Sequence, residues 1–217
     1  LSSAKAKQKS AETNLGAAGT SARATSNSRG YPGKMLILAS TSPRRRELLA
    51  AAGIAFEVRE PTADETRLAY ESPIDYVLRV AREKAISITA LPGDIVLGAD
   101  TIVCLEGEVL GKPRNRDDAR RMLRSLSGRS HWVYTGFCLV SDSRSISDSA
   151  ATEVLINDLS NEEIEDYLES GEPLDKAGAY AIQGLASKFV REIRGCYHNV
   201  VGLPVSRIYR HLRAWSS

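Results

Sequence analysis

Leu36-Ile37-Leu38-Ala39-Ser40-Thr41-Ser42-Pro43-Arg44-Arg45-Arg46-Glu47-Leu48-Leu49 decides the fold. The first four residues are an apolar run that reads as a buried strand. The stretch from Leu48 to Ala52 reads as a helix, with Ser42 as N-cap, Pro43 as first helical residue and Gly53 as the stop. Strand, polar turn and helix in that order open an α/β unit. Arg44, Arg45 and Arg46 then fall in the first helical turn, where the dipole is positive and disfavours a cation by about 0.3–1 kcal/mol. Amide N–H groups and guanidinium forks in one turn make an anion site, with phosphate the natural ligand. The alternative is a solvated basic turn.

Further along, apolar runs keep alternating with helical patterns. A short strand is expected near Phe56 to Val58, and a helix opens at Ser72-Pro73 with Val77, Val80, Ala81, Lys84, Ala85 and Ile88 on one stripe. Ile95 to Ala99 is a buried strand ending at Asp100, and Glu106-Gly107-Glu108 is a hairpin turn between Ile102–Leu105 and Val109-Leu110. A helix opens at Asn115 and stops at Gly128, with acids in its first turn. Trp132–Val140 and Ala150–Leu159 read as strands joined by a polar turn over Ser141–Ser147. Ser160-Asn161-Glu162-Glu163 is a capping box, Phe189-Val190 a strand, and Pro204 starts the last helix. The small residues between Asp175 and Ser187 indicate irregular backbone in close approach.

Composition divides the chain. Residues 1–34 are rich in Ser, Ala, Thr, Gly and Lys and hold too little apolar surface to offset the entropy of ordering. They read as a disordered extension or an upstream translation artefact without the apolar core of a secretory signal, and Met35 suits a natural start. Residues 35–217 read as one domain. The extension carries six of the 29 basic residues and one of the 27 acidic ones, so the remainder has 23 against 26, a net −3. The slight overall basicity therefore gives no ground for a nucleic-acid partner. No apolar run reaches membrane-spanning length. Cys104, Cys138 and Cys196 form no CxxC and suit a reducing, cytoplasmic compartment. His131, His198 and His211 lack any paired ligand spacing and read as structural or surface residues.

Several charged and polar residues stand out by placement. Asp100 closes an apolar strand, where open α/β sheets gather ligands. It suits a metal ligand or general base, against an Asx-turn. Lys112, bracketed by Gly111 and Pro113, either points a fixed charge at phosphate or is an ordinary surface lysine. Lys84, on an apolar stripe, either snorkels or meets a ligand or acid. Glu65 sits in a polar loop, and Gln183, among small residues, offers its amide to a planar partner or to its own loop.

Together these segments resemble the Maf family of nucleoside triphosphate pyrophosphatases. The resemblance rests on Leu38-Ala39-Ser40-Thr41-Ser42-Pro43-Arg44-Arg45, Glu65, Ala81 to Ala85, Gly98 to Val103, and Gly111-Lys112-Pro113. It continues through Ser127-Gly128, Gly171 to Tyr180, Ala181 to Gly184 and Val200 to Pro204, with one departure at Leu185 to Lys188, where more glycine is expected. Arg44, Thr101 and Gln183 match the branch that acts on dTTP and UTP; the branch acting on 7-methyl-GTP carries an aromatic, Gln and Glu there.

The resemblance implies an α/β, Maf/inosine-triphosphatase-like fold, with a central mixed sheet and two lobes around a cleft, often dimeric. It implies cleavage between the α- and β-phosphates with Mg²⁺ or Mn²⁺ held by Asp100 and Glu65. Arg45, Lys84 and Lys112 would neutralise the triphosphate, while Ser40, Ser42, Arg44, Thr101 and Gln183 would bind substrate. The alternatives are a 7-methyl-GTP enzyme of the same family, a phosphatase or nucleotidyltransferase using the same turn, or a non-enzymatic nucleotide-binding regulator of cell division.

Overall fold

The protein is described here by a computed structural model covering residues 35–142 and 144–215. The expected extension, residues 1–34, lies outside the described residues. The order of elements is β1 (Leu36–Ala39), α1 (Pro43–Ala51), β2 (Glu57–Arg59), α2 (Pro73–Ile86), β3 (Ile95–Leu105), β4 (Glu108–Leu110), α3 (Arg116–Leu126) and β5 (Ser130–Val140). Then come β6 (Ser145–Ile156), α4 (Asn161–Glu169), three short 3₁₀ turns between Glu172 and Phe189, β7 (Val190–Arg194), α5 (Tyr197–Val201) and α6 (Val205–Trp215).

The seven strands form one mixed sheet in the order β2-β1-β3-β5-β6-β7, with β4 also paired to β3. β2, β1 and the first half of β3 run parallel; every other pairing is antiparallel. One face is covered by α2, which sits so close that a Cβ at Gly98 or Gly136 would collide with the backbone of Ala81 or Val77. The opposite face carries the main core, where Leu36, Leu38, Leu97 and Phe137 pack with Leu49 of α1, Leu123 of α3, Ile164 of α4 and Ile208 of α6.

Four expectations change. Asp100 does not end its strand, because β3 runs on to Leu105 and stays paired with β5 from Val96 to Cys104. What ends is its parallel neighbour, since β1 stops where Ala39 faces Gly98. The polar stretch from Ser145 is strand, its low β propensity overridden by an unbroken ladder to β5. Phe189 belongs to a 3₁₀ turn and the strand starts at Val190, while the short helix α5 carries no clear periodic signal. Glu108 pairs with Leu105, which shortens the hairpin turn to Glu106-Gly107, both at positive φ as a two-residue turn requires.

This topology leaves a gap. β5 occupies one edge of β3, so β1 and β4 share the other. β1 covers that edge up to Gly98, and β4 covers it again from Val103. The four residues between, Ala99 to Ile102, span about 13 Å of uncovered strand edge. The carboxyl end of β1 and the carboxyl end of β4 meet at this gap from opposite sides.

Candidate functional site

Because the gap interrupts the sheet, side chains from both of its faces reach one cleft of about 620 Å³, within the range of small-ligand sites. Ser40, Ser42, Arg44 and Arg45 enter from the β1 end, Lys112 from the β4 end, and Asp100 and Thr101 from the exposed edge of β3. Lys84 and Tyr76 come from α2, and Glu65 from the loop before it. All the expected site residues therefore line the cleft except Gln183, which is exposed and outside the lining. Arg46 is also exposed and outside it, so two of the three arginines face the cleft.

Ser42 takes the N-cap backbone position of α1, yet its side chain makes no capping bond. Its N–H instead donates to Ser40 Oγ at 3.2 Å. The first intrahelical bond runs from Arg46 N to Ser42 O, which leaves the N–H groups of Arg44 and Arg45 without partners among the described residues. These donors remain for a ligand.

Arg45 is buried and held on three sides. Nε donates to Gly202 O (2.9 Å), one Nη to Ser40 Oγ (3.2 Å) and the other to Thr101 Oγ1 (3.1 Å). A guanidinium has five N–H groups, so one remains on each Nη: a ready pair for two phosphate oxygens. Burial pulls Arg45 below the usual guanidinium range, and the carboxylates of Asp100 and Glu65 act against that shift. The Thr101 hydroxyl also meets Thr135 Oγ1 at 2.9 Å and Gly202 O at 3.2 Å, while Thr135 donates to Asn199 O at 3.2 Å. Thr101 thus belongs to the scaffold that orients Arg45.

On the α2 face, Lys84 Nζ lies between two carboxylates, 2.8 Å from Asp100 Oδ1 and 2.7 Å from Glu65 Oε1. Lys84 and Asp100 are buried, whereas the Glu65 side chain is 60% exposed at the mouth. Partial burial alone would raise the Glu65 pKa. The Lys84 ammonium at hydrogen-bond distance, with Arg45 and Lys112 nearby, outweighs it and holds the carboxyl below its usual range. Asp100 Oδ2 and Glu65 Oε2 take no partner among the described residues. Two carboxylates converging in this way suit a hard divalent cation that keeps several waters and shares substrate oxygens. No cluster of three or more acidic, His or Cys side chains capable of holding an ion occurs among the described residues, so substrate oxygens and water would complete the shell.

Lys112 reaches the cleft on a loop fixed by a bond from Gly178 N to Gly111 O (3.1 Å). The same segment brings Tyr180 to the cleft wall, its hydroxyl 2.7 Å from the buried Nε2 of His131. Thr135 and Tyr76 were not singled out in the sequence, and Gly202 and Tyr180 entered only within segments of the family resemblance, with no role assigned. Their roles depend on a carbonyl, a buried hydroxyl and chain reversals that carry no periodic or charge signal.

Residues 35–215 match the family model described as Maf-like protein. A dTTP/UTP pyrophosphatase of Anaeromyxobacter dehalogenans is 56% identical over 182 residues, 82% of this chain and 92% of that protein. One from Bacillus cereus is 50% identical over 181 residues, 83% of this chain and 95% of that protein. Among solved structures, a nucleoside-triphosphatase, dITP/XTP pyrophosphatase, of Mycobacterium abscessus overlays with a TM-score of 0.37 at 18% identity, covering 57% of this chain and 74% of that one. Among the described residues no helix is long and apolar enough to cross a membrane.

Proposed function

The chain belongs to the Maf family, and from that premise we propose that it hydrolyses dTTP and UTP to the nucleoside monophosphate and pyrophosphate in the cleft at the β3 gap. The observation that carries this reading is the meeting of Arg45, Lys84, Lys112 and the open start of α1 around Asp100 and Glu65. A triphosphate needs such a concentration of fixed donors, and the relatives that share half of the sequence or more are dTTP/UTP pyrophosphatases.

In this mechanism water attacks the α-phosphorus, the bond to the bridging oxygen breaks, and pyrophosphate departs. The two remaining N–H groups of Arg45 and the first-turn amides of α1 hold phosphate oxygens, as do the hydroxyls of Ser40 and Ser42. Lys112 approaches the departing charge from the β4 end of the gap. Lys84 fixes Asp100 through Oδ1, and Asp100 takes the proton of the attacking water on one of its remaining acceptor positions. Asp100 and Glu65 would hold Mg²⁺ or Mn²⁺, which when bound neutralises phosphate oxygens and acidifies water. Base selection falls to Arg44 and Thr101 as they shape the cleft, while Gln183 stands outside its lining. We assign the enzyme to the cytoplasm as a homodimer acting on free nucleotides; the three cysteines, free of disulfides, suit a reducing compartment.

A panel of dTTP, UTP and 7-methyl-GTP with Mg²⁺ or Mn²⁺, assayed for pyrophosphate and phosphate separately, tests the proposal. Pyrophosphate from dTTP and UTP is expected. Release of inorganic phosphate alone, or tight binding without turnover, overturns it.

A further inference from the structure

Glu65 poses a mechanical problem. It lies in the segment 61–71, which has no regular secondary structure and no buried residue, so apolar packing cannot fix its position. Leu68 and Tyr70, its large apolar side chains, are exposed. A carboxylate on such a loop would sample many placements, yet it meets Lys84 at 2.7 Å.

Helix α2 supplies the missing constraint. Three consecutive carbonyls of the loop are gripped by its side chains: Asp64 O by Arg79 Nη1 (3.3 Å), Glu65 O by the Tyr76 hydroxyl (2.7 Å) and Thr66 O by Arg79 Nη2 (2.9 Å). Arg79 is itself locked by Glu71 at the far end of the loop, through Nε to Oε1 (2.7 Å) and Nη2 to Oε2 (3.0 Å), and by Glu83 at 3.0 Å one helical turn on. The Tyr76 ring packs with Val77, Val80 and Ile102, so its hydroxyl is delivered from a rigid base. Tyr76 and Arg79 stand three residues apart on neighbouring positions of α2, and Lys84 follows on the same helix about two turns after Tyr76. The helix that carries the ammonium thereby also sets where its carboxylate partner stands.

We propose that Arg79 and Tyr76 are positioning residues that clamp the loop backbone so that Glu65 meets Lys84 and the substrate in a fixed geometry. This rests on the part given to Glu65 above. Neither residue touches the reacting atoms in this role. Each acts through Glu65, so its loss should lower kcat with little change in KM.

The test combines Tyr76→Phe, Arg79→Met and Glu65→Gln with both double variants, assayed as pyrophosphate release from dTTP at saturating Mg²⁺. Amide hydrogen exchange over residues 61–71 is followed in parallel. Tyr76→Phe keeps the packed ring and removes only the hydroxyl, so it carries the test alone if Arg79→Met does not fold. A displaced catalytic group costs about 10- to 100-fold. We expect a kcat loss of that size for Arg79→Met and about threefold to tenfold for Tyr76→Phe, with faster exchange in the loop. In the Glu65→Gln background both losses should shrink to within about twofold. Equal losses in both backgrounds overturn the clamp, as does a loosened loop with wild-type kcat. If Glu65→Gln alone is fully active, the role of Glu65 falls and the clamp with it. If Glu65→Gln is impaired while the other two variants turn over normally, only the clamp falls.

Discussion

Ser42 and Ser160 both stand at the start of a helix, and the two starts are built for different purposes. At Ser160 the hydroxyl accepts from Glu163 N (3.1 Å), the Ser160 N–H donates to Glu163 Oε2 (2.9 Å), and Glu162 and Glu163 complement the dipole. The starts of α2 and α3 follow the same plan, with Ser72 and Asn115 accepting from Asp75 N and Asp118 N. At Ser42 no cap bond forms, no acid enters the first turn, and two arginines face the cleft. The starts of α2, α3 and α4 satisfy their first-turn donors with a side-chain cap; α1, like the five-residue α5, has none, but α1 opens its free donors on the cleft with two arginines beside them. On the proposed mechanism, local stability is given up at the helix start that holds the triphosphate.

The largest effect expected from breaking the functional side of this contrast comes from Asp100→Asn. It keeps the side-chain volume and removes the charge that faces Lys84. We expect kcat to fall at least about 1,000-fold, the scale of losing a central catalytic group. The melting temperature should stay within a few degrees, because the amide oxygen still accepts from Lys84 and Glu65 still pairs with it. Steady-state rates and a thermal melt check both halves, and near-normal turnover would remove Asp100 from the mechanism.

Next in size is Ser42→Asp, which gives α1 the cap and negative charge that the starts of α2, α3 and α4 possess. The helix should gain about 0.3–1 kcal/mol from the dipole term. The new carboxylate would occupy the open amides and repel the triphosphate, so KM for dTTP should rise about tenfold, equivalent to about 1.4 kcal/mol. A stabilised protein with unchanged KM would show that the start of α1 does not hold phosphate.

Much of this was legible in the sequence because it is local. The strand-turn-helix around Ser42, the stripe that buries Lys84 and the capping box at Ser160 all appear within a few residues of chain. The placement of Asp100 was legible for an incomplete reason. Asp100 does sit beyond the carboxyl end of a parallel strand, but that strand is β1, and β3 itself continues. Strand pairing is a long-range property, and an apolar run shows only where a strand is buried, not which neighbour stops beside it. The Thr135–Thr101–Arg45–Gly202 network was hidden for the same reason, since it joins residues up to 157 positions apart through hydroxyls and a carbonyl. Gln183 illustrates the reverse case. A family pattern singles it out, yet the 3₁₀ turns that follow α4 place its side chain outside the cleft.

The smallest effects should separate the two serines when each loses its hydroxyl. Ser160→Ala deletes a bond that satisfies an otherwise orphaned N–H and breaks the reciprocal box, which costs about 1 kcal/mol. For a domain of this size that is a fall in melting temperature of about 2–4 °C. Dispersed on the surface and away from the cleft, the change should leave kcat/KM for dTTP within about twofold. Ser42→Ala removes a hydroxyl that caps nothing, so its stability change should lie within about 0.5 kcal/mol, while kcat/KM falls about threefold through the lost contact to phosphate. Paired melts and pyrophosphate assays on the two variants resolve this. Equal destabilisation by both would mean that the Ser42 hydroxyl caps α1 after all, and the division between a self-satisfied and a ligand-ready helix start would collapse.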